Sequence, residues 1–400
     1  MGLLRVILAM MVVFAHRGPI GGAGWVLHGG AFFAVKAFFM VSGFYMALIL
    51  HDRYRRLPVR DFYLSRLLRL LPIYWTIGAL TVLAEFLLVP RDKMFYSLDS
   101  PLYYWTGPLG LNFRGIPAGL WAYIGVSDLT LLGSDSWLWL GFSRIDGALS
   151  LAPGYGPAAT AGNGLSPVPQ AWSIGCELWF YLIAPFVTRR LWLVFVLAGG
   201  SLLTRYLMAR CGFSGEPWKR AFFPSELIYF LLGVLAYRVY LHFPGFQFPE
   251  RGRSRYVGLT LLAVYAVAPV SLLANHIGPI AVLSDLLDIV PYALLFLVLP
   301  CLFRATEHSA LDGRIGELSY PLYISHNFVY GLLAAIPLDL NAFFGRSWGW
   351  ALFNAAAVIA VAFAIDRWLA LPIDKFRRRF GARAPERVEP TPDGGAISVT

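Results

Sequence analysis

The 400-residue sequence is poor in charge and in cysteine, and it lacks several motifs common in soluble enzymes. Charged residues make up 14% of the chain, against about a quarter in soluble domains, which excludes a soluble globular protein. The three cysteines, Cys176, Cys211 and Cys301, lie far apart and form no disulfide or zinc spacing. No glycine-rich phosphate loop, HExxH or Ser–His–Asp motif stands out, and no metal site is predicted.

The chain is unusually rich in apolar residues. Hydrophobic residues make up 58% of it, and the mean hydropathy is +0.61. Apolar runs of this kind predict an all-α polytopic membrane protein, a bundle of about ten transmembrane helices with both termini in the cytoplasm. The spans are expected at 2–16, 29–50, 68–89, 171–188, 191–208, 224–242, 256–274, 283–303, 318–337 and 349–371.

The distribution of Lys and Arg sets the expected topology. The net charge of +10 falls mostly in short loops such as 51–69, as the positive-inside rule predicts, so nucleic acid is not an expected partner. Counting 118–141 as an eleventh span would reverse every later basic loop. We therefore interpret 90–170 as an outward excursion. One transmembrane domain is expected over 1–380, with a disordered cytoplasmic tail over 381–400.

Charged side chains within apolar helices are the first candidates for a functional site. Arg5 and His16 are about 16 Å apart along the first helix. Arg66 and Arg69 share a helix face, where paired guanidiniums suit phosphate. Glu177 lies among aromatic residues about two turns into its span. A purely topological role for the arginines is the ordinary alternative.

A histidine near the end of the chain is a further candidate. His326 follows Tyr320 and Tyr323 in an apolar span, where a histidine is as often a helix-packing residue as a catalyst. Further candidates for a polar interior are Lys36, Glu85, Glu226, Asp285, Asp288 and Asp366.

Together these stretches resemble the acyltransferase-3 family of integral-membrane acyltransferases. The resemblance covers essentially residues 1–380. It rests on five stretches: Arg5 with His16; Phe38-Phe39-x-x-Ser42-Gly43-Phe44; Arg66-x-x-Arg69 followed by Pro72-x-Tyr74; Trp172-Ser173 with Glu177 and Phe180-Tyr181; and Ser319-Tyr320-x-Leu322-Tyr323-x-x-His326. The chain departs from the family at Lys36, where many members have an acidic residue, and at Leu178, where a second Glu often follows the first.

The resemblance implies transfer of an acyl group, commonly acetyl from acetyl-CoA, to a hydroxyl of a lipopolysaccharide, capsule or other surface glycan. It implies that Arg5, Ser42, Arg66 and Arg69 bind the acyl-CoA, which acts as a substrate, with no permanently bound cofactor. His16 would be the general base and Glu177 would orient its imidazole. Supporting positions would be Tyr74, Trp172, Tyr323 and His326. The expected location is the bacterial inner membrane, in contact with lipid, and a homo-oligomer is an open alternative to a monomer.

Other functions stay open at this point. Within the same class, the donor could carry succinyl or a longer acyl group. A transporter or flippase for a lipid-linked glycan would also need many spans and buried charges, although the sequence shows no internal repeat. A non-catalytic subunit of an envelope complex is a third reading.

Overall fold

The computed structural model describes residues 1–17, 24–55, 57–88, 118–143, 149–151, 159–161, 166–213, 217–242, 250–268, 281–335 and 348–377. These residues are mainly helical, as the composition predicts. The helices are α1 Gly2–Arg17, α2 Gly24–His51, α3 Val59–Leu88, α4 Ala118–Thr130, α5 Ser136–Trp139, α6 Trp172–Val187, α7 Leu191–Arg210, α8 Trp218–Ala221, α9 Phe223–His242, α10 Glu250–Val267, α11 Ala281–Thr306, α12 Ala310–Glu317, α13 Ser319–Ala335, α14 Trp348–Ile365 and α15 Leu371–Arg377. A 3₁₀ turn, Pro169–Ala171, precedes α6, and a π-helical turn, Asp366–Ala370, joins α14 to α15.

Helix occupies all or part of each predicted span. Within the described residues, six segments are long and apolar enough to cross a membrane: Gly30–His51, Val59–Ala84, Leu191–Arg210, Phe223–His242, Ile289–Thr306 and Trp348–Arg377. The other four predicted spans coincide with α1, α6, α10 and α13, which are shorter or more polar. A multi-pass helical protein is confirmed, while the count of ten and the cytoplasmic termini stay predictions. The predicted tail, 381–400, lies outside the described residues.

The segment 118–141 does not form one continuous helix. Helix α4 stops at Thr130 because Leu131 and Gly133 adopt positive φ angles of 63° and 82°, which an α-helix does not accommodate. Its 13 residues fall short of the roughly 20 that a crossing helix needs. The segment is therefore not an eleventh span of ordinary length.

A small antiparallel sheet departs from the all-helical expectation. The central strand β1, Leu140–Ser143, pairs with β2, Leu149–Leu151, and with β3, Ala159–Ala161. Leu140 lies opposite Leu151, and Gly141 lies opposite Ala161. Strands of three or four residues carry too little periodic pattern to be recognised in the sequence.

Helices α2 and α9 pack closely against each other. A Cβ added at Gly43 would overlap the carbonyl oxygen of Phe230, and one added at Gly233 would overlap the carbonyl oxygen of Met40. Two glycines facing each other's backbone let the helix axes approach more closely than larger side chains would allow. This close approach fixes which face of α2 is turned toward α6.

Helix α1 is held at both ends. The backbone N–H groups of Gly2 and Leu3 donate to Asp312 of α12, at 2.6 and 2.9 Å. At the other end, the Tyr330 hydroxyl of α13 donates to the carbonyl of Val13 at 2.7 Å. The Asp312 contacts satisfy N–H groups that the first turn of a helix leaves unpaired. They also place Arg5 and His16 toward opposite ends of the bundle.

Candidate active site

A cavity of about 270 Å³ lies between α1, α2, α3, α6, α12 and α13. The four residues expected to bind the donor all line it: Arg5, Ser42, Arg66 and Arg69. Glu177 and Tyr323 line it as well. Residues far apart in sequence thus meet around one space, although the sequence alone could not show that they share it.

The cavity runs along one face of α2. Phe38, Ser42, Ile49 and Arg53, at or near successive turns, all line it, so it extends roughly 20 Å along the helix axis. Arg53 lies just beyond the end of α2 and is exposed, which places the open end of the cavity there. An elongated cavity suits a linear ligand better than a compact one.

Arginines dominate the electrostatics of the cavity. Arg66 is only 7% exposed, and in the described part of the chain its Nε has no hydrogen-bond partner. Arg69 pairs loosely with Glu317 at 3.7 Å, and its guanidinium holds the pKa of that carboxyl below the usual range. A buried guanidinium with an unpaired N–H is a site for an anion, because burial without a partner is costly.

Glu177 belongs to this cavity rather than to His16. Its Oε1 accepts hydrogen bonds from Ser42 Oγ, at 2.6 Å, and from the Tyr181 hydroxyl. The expectation that Glu177 holds the His16 imidazole is therefore wrong for this structure, because the packing of α6 on α2 turns the carboxylate toward Ser42. The sequence analysis names Tyr181 only within a family motif and gives it no role, although its i, i+4 spacing from Glu177 could have indicated the contact.

The predicted base forms a pair with the second predicted histidine. The ring centroids of His16 and His326 are 4.8 Å apart. Nδ1 of His16 contacts the Val12 carbonyl at 2.9 Å, and Nδ1 of His326 contacts the Tyr323 carbonyl at 2.6 Å. Because a carbonyl can only accept, each Nδ1 carries a proton, which leaves Nε2 as the nitrogen that can act as a base.

The two histidines differ in exposure. His16 is exposed. The His326 side chain is 0% exposed, and its Nε2 has no hydrogen-bond partner among the described residues. A buried basic nitrogen without a donor is unusual, and here it lies beside an accessible imidazole.

A chain of aromatic contacts connects the cavity to the histidine pair. The Phe38 ring lies 6.2 Å from the Tyr323 ring, and the Tyr323 ring lies 6.0 Å from the His326 ring. The Tyr323 hydroxyl is fixed by Ser173 Oγ at 2.6 Å. The inner end of the cavity therefore adjoins His326 and, through it, His16.

Two of the predicted supporting residues lie elsewhere. The Tyr74 hydroxyl donates to Asp128 at 3.4 Å, and Trp172 packs against the hydrophobic core. Neither is among the described residues that line the cavity. Both were grouped with the site on the family resemblance, and the structure places them in the scaffold beside it.

Lys36 lies in a separate buried cluster. Its ammonium is 5.2 and 5.7 Å from the ring centres of Tyr229 and Tyr292, within cation–π range. Nearby, Arg205 pairs with the fully buried Glu226 at 2.6 Å. Lys36 and Glu226 are thus part of a polar interior, as expected. The side chains of Glu85, Asp285 and Asp288 lie outside the described residues.

Comparison with known families agrees with this arrangement. The family described as an acyltransferase domain, acyltransferase-3, matches residues 1–367 of the chain. No curated protein and no solved structure matches it. The matched range includes the arginine-lined cavity except for Arg377 at its rim, and all of the histidine pair. The chain therefore belongs to the acyltransferase-3 family and is a multi-pass membrane acyltransferase.

Proposed function

We propose that this protein is an O-acyltransferase that moves an acetyl group from acetyl-CoA to a hydroxyl of a surface or exported glycan, with His16 as the general base. One observation carries the proposal: the arginine-lined cavity ends beside the His16–His326 pair. A binding site for a phosphorylated donor thus leads toward a group that can accept a proton.

The donor would lie lengthwise in the cavity. Arg66 and Arg69 would bind the pyrophosphate, since each guanidinium can bind a phosphate through two N–H groups. Arg5 adds a third positive charge. The volume of about 270 Å³ is small for a whole coenzyme, given that drug-sized ligands fill about 300–1,000 Å³. The pantetheine arm would therefore occupy the cavity, with the nucleotide near Arg53.

The reaction would begin at His16 Nε2. This nitrogen takes the proton from the acceptor hydroxyl while the oxygen attacks the thioester carbonyl. The C–S bond then breaks, and the imidazolium returns its proton to the departing sulfur. His326 supports the imidazole of His16 through ring contact. Glu177, bonded to Ser42 and Tyr181, would orient hydroxyl groups along the path of the donor rather than act on the base.

The expected topology adds a direction to this transfer. The arginines would face the cytoplasm, where acetyl-CoA is made, and His16 would lie toward the outer side. The acyl group would then cross within the protein to reach a glycan outside. Sided labelling of single cysteines placed near Arg53 and near His16 tests this step, and labelling of both from one side would contradict it.

The central experiment uses the full chain in proteoliposomes with radiolabelled acetyl-CoA and a surface-glycan extract. CoA binding and label transfer are measured for wild type, for His16→Ala and for Arg66→Ala/Arg69→Ala. His242→Ala is the matched control for His16, because its Nδ1 also contacts the carbonyl four residues back, at 3.0 Å. Arg60→Ala, exposed on the same helix as Arg66, is the control for the arginines.

We expect His16→Ala to bind CoA and to lose about 10²- to 10⁴-fold in transfer, the usual contribution of a general base. The arginine double variant should lose binding, and both controls should behave as wild type. If wild type neither binds CoA nor transfers label, the proposed function is wrong, and the family match indicates fold without this activity. Replacing acetyl-CoA with succinyl-CoA in the same assay shows which of the two acyl groups the protein transfers.

A further inference from the structure

The cavity is charged at one end. Among the described residues that line it, the cations are all arginines: Arg5, Arg53, Arg66, Arg69 and Arg377. Helix α12 marks the place of two of them. A guanidinium nitrogen of Arg5 lies 3.5 Å from the position of a Cβ added at Gly316, and Arg69 pairs with the next residue of the chain, Glu317.

The remaining arginines lie at the same end. Tyr54, which follows Arg53, packs on Phe62 of α3 with 5.7 Å between the ring centres, and Arg66 is one turn further along α3. Arg377 is held by Asp374, whose side chain lines a smaller cavity that Arg69 also lines. The positive charge of the main cavity is therefore concentrated where α2 ends and α3 begins.

The cavity leads away from the arginines along α13. The Tyr320 hydroxyl, in the first turn of this helix, donates to the carbonyl of Leu70, next to Arg69, at 2.8 Å. Tyr323 lies one turn further along α13, in the direction of the histidine pair. There its ring lies 6.2 Å from the Phe38 ring of α2. These two rings mark the inner end of the cavity.

The inner end is apolar. The described residues that line it are Val35, Phe38, Phe39, Ser173, Ile174 and Tyr323. All of them except Phe38 are buried. Lys36 lies on the same helix but turns away, since its ammonium lies over the rings of Tyr229 and Tyr292. It is not among the described residues that line the cavity.

The two hydroxyl groups at the inner end already use their protons. The Tyr323 hydroxyl and Ser173 Oγ are 2.6 Å apart, and they lie 3.1 and 3.4 Å from the carbonyl of Gln170. One hydroxyl therefore donates to the other, and the second donates to the carbonyl. A carboxylate can only accept hydrogen bonds, so neither group has a proton to offer it, and burying an unpaired charge is costly.

The charged side chain next to this end is itself negative. Glu177 follows Ser173 by one turn of α6 and also lines the cavity. Two carboxylates that share a site repel each other. The inner end therefore suits a short uncharged group and disfavours an anionic one.

We propose that the inner end is the acyl pocket, and that Phe38 limits it to a short uncharged acyl group. This inference rests on the proposed function, in which the phosphates of the donor lie among the arginines and its thioester points toward the histidine pair. The acyl group then lies between Phe38 and Tyr323. The hydrogen bonds of Tyr323 fix one wall, whereas the half-buried Phe38 ring is held by packing alone.

A purely structural role for Phe38 makes a different prediction. If the ring only packs the helices together, Phe38→Ala should lower the transfer of every acyl group by the same factor. If the ring limits the acyl pocket, the variant should gain activity with a longer uncharged acyl group relative to acetyl. The ratio of activities with two donors therefore distinguishes the two roles.

The test measures kcat/KM for labelled acetyl-CoA, butyryl-CoA and succinyl-CoA with the full chain in proteoliposomes and the surface-glycan extract. We expect wild type to use butyryl-CoA and succinyl-CoA about 10²-fold less well than acetyl-CoA, because each methylene in excess of an apolar pocket costs about 10- to 200-fold. Phe38→Ala should raise the butyryl-to-acetyl ratio about tenfold or more. It should leave the succinyl-to-acetyl ratio low, because the carboxylate still lacks a partner.

Two further variants sharpen the test. Glu177→Gln should raise the succinyl-to-acetyl ratio a few-fold, and any effect on the donor phosphates cancels in that ratio because both donors carry them. Phe32→Ala is the control for Phe38→Ala: it removes the same ring from an exposed position on the same helix, outside the described lining of the cavity. It should keep the wild-type ratios.

The outcomes separate this inference from the proposed function. If wild type transfers acetyl and butyryl equally well, or if Phe38→Ala changes all donors by one factor, the acyl pocket is wrong and the proposed function stands. A wild-type preference for succinyl-CoA overturns the pocket and the acetyl donor together. If wild type neither binds CoA nor transfers any label, the proposed function fails and the pocket fails with it. Should Phe38→Ala not fold, Phe38→Leu gives the same comparison.

Discussion

The cavity and the histidine pair hold their functional side chains in opposite ways. In the cavity, long arginines from several elements surround an open space, and one of them reaches the surface at Arg53. In the pair, each imidazole is fixed to a backbone carbonyl of its own helix, and His326 is fully buried. The cavity is suited to binding charge, and the histidine pair to positioning a base.

This difference indicates how each region would tolerate change. Guanidiniums around a cavity can share an anion, so losing one weakens binding without abolishing it. A base acts only in one position, where an error of about 1 Å can cost about 10²-fold in rate. Binding and transfer should therefore be separable by substitution.

The largest effect is expected at the close contact between α2 and α9. Gly43→Ala would place a methyl group against the Phe230 carbonyl. Overpacking of this kind costs about 1–3 kcal/mol or more, and here backbone rather than a side chain would have to move. We expect CoA binding and transfer to fall together, with a lower unfolding temperature in detergent.

Gly199→Ala is the matched control, since nothing lies within 4 Å of a Cβ added there. It should retain the stability of wild type. A Gly43→Ala protein that binds CoA normally would show that the α2–α9 contact does not shape the cavity.

The second experiment isolates the histidine pair. His326→Ala removes the ring that lies 4.8 Å from His16, and transfer should fall about 10²-fold through misplacement of the base. CoA affinity should change little, because His326 is not among the described residues lining the cavity. Label transfer and CoA binding are measured on the same preparations. His308→Ala, at an exposed position, serves as the control, and equal loss of binding and transfer would contradict the separation.

Glu177→Gln tests whether Glu177 acts on the donor in the cavity or on the histidine base. The amide can still accept from Ser42 and Tyr181, but it no longer repels the donor phosphates. We expect CoA affinity to rise by a few-fold, most strongly at low ionic strength, where charges are least screened. The pH profile of transfer should stay as in wild type. A shifted profile with unchanged affinity would instead show that Glu177 acts on the base.

The smallest effect concerns Asp135, a buried carboxyl outside both regions. It is 4% exposed and accepts a hydrogen bond from Trp179 at 3.1 Å. Burial raises its pKa from 3.8 to about 6, so the folded protein binds this proton more tightly than the unfolded chain. Its stabilising contribution is therefore fully present below about pH 4 and is lost as the pH rises toward 6.

Asp135→Asn should remove this dependence while preserving the acceptor for Trp179. We expect the unfolding temperature to rise by a few degrees at pH 7.5 and to change little at pH 4.5. Asp52→Asn, at an exposed position, is the control for the loss of a carboxylate charge. Equal shifts for Asp135→Asn at both pH values would mean that burial does not control this carboxyl.

The sequence predicted most of the helices because long apolar runs leave few alternatives in a membrane. It also predicted that Arg66 and Arg69 share a face, which three-residue spacing requires of any helix. It could not predict the small sheet over 140–161, whose strands are too short to show a period. Nor could it show that 118–141 breaks at Leu131, where a non-glycine residue adopts a positive φ.

The residue types of the site were present in the sequence, but their grouping was decided by packing. Glycines at 43 and 233 bring α2 and α9 together, and the face of α2 that remains sets which side chains line the cavity. That packing turns Glu177 toward Ser42 and brings Arg53 and Arg377 to the same space. Helix spacing along one chain fixes local neighbours, whereas contacts between helices depend on rotation and depth, which only the tertiary structure determines.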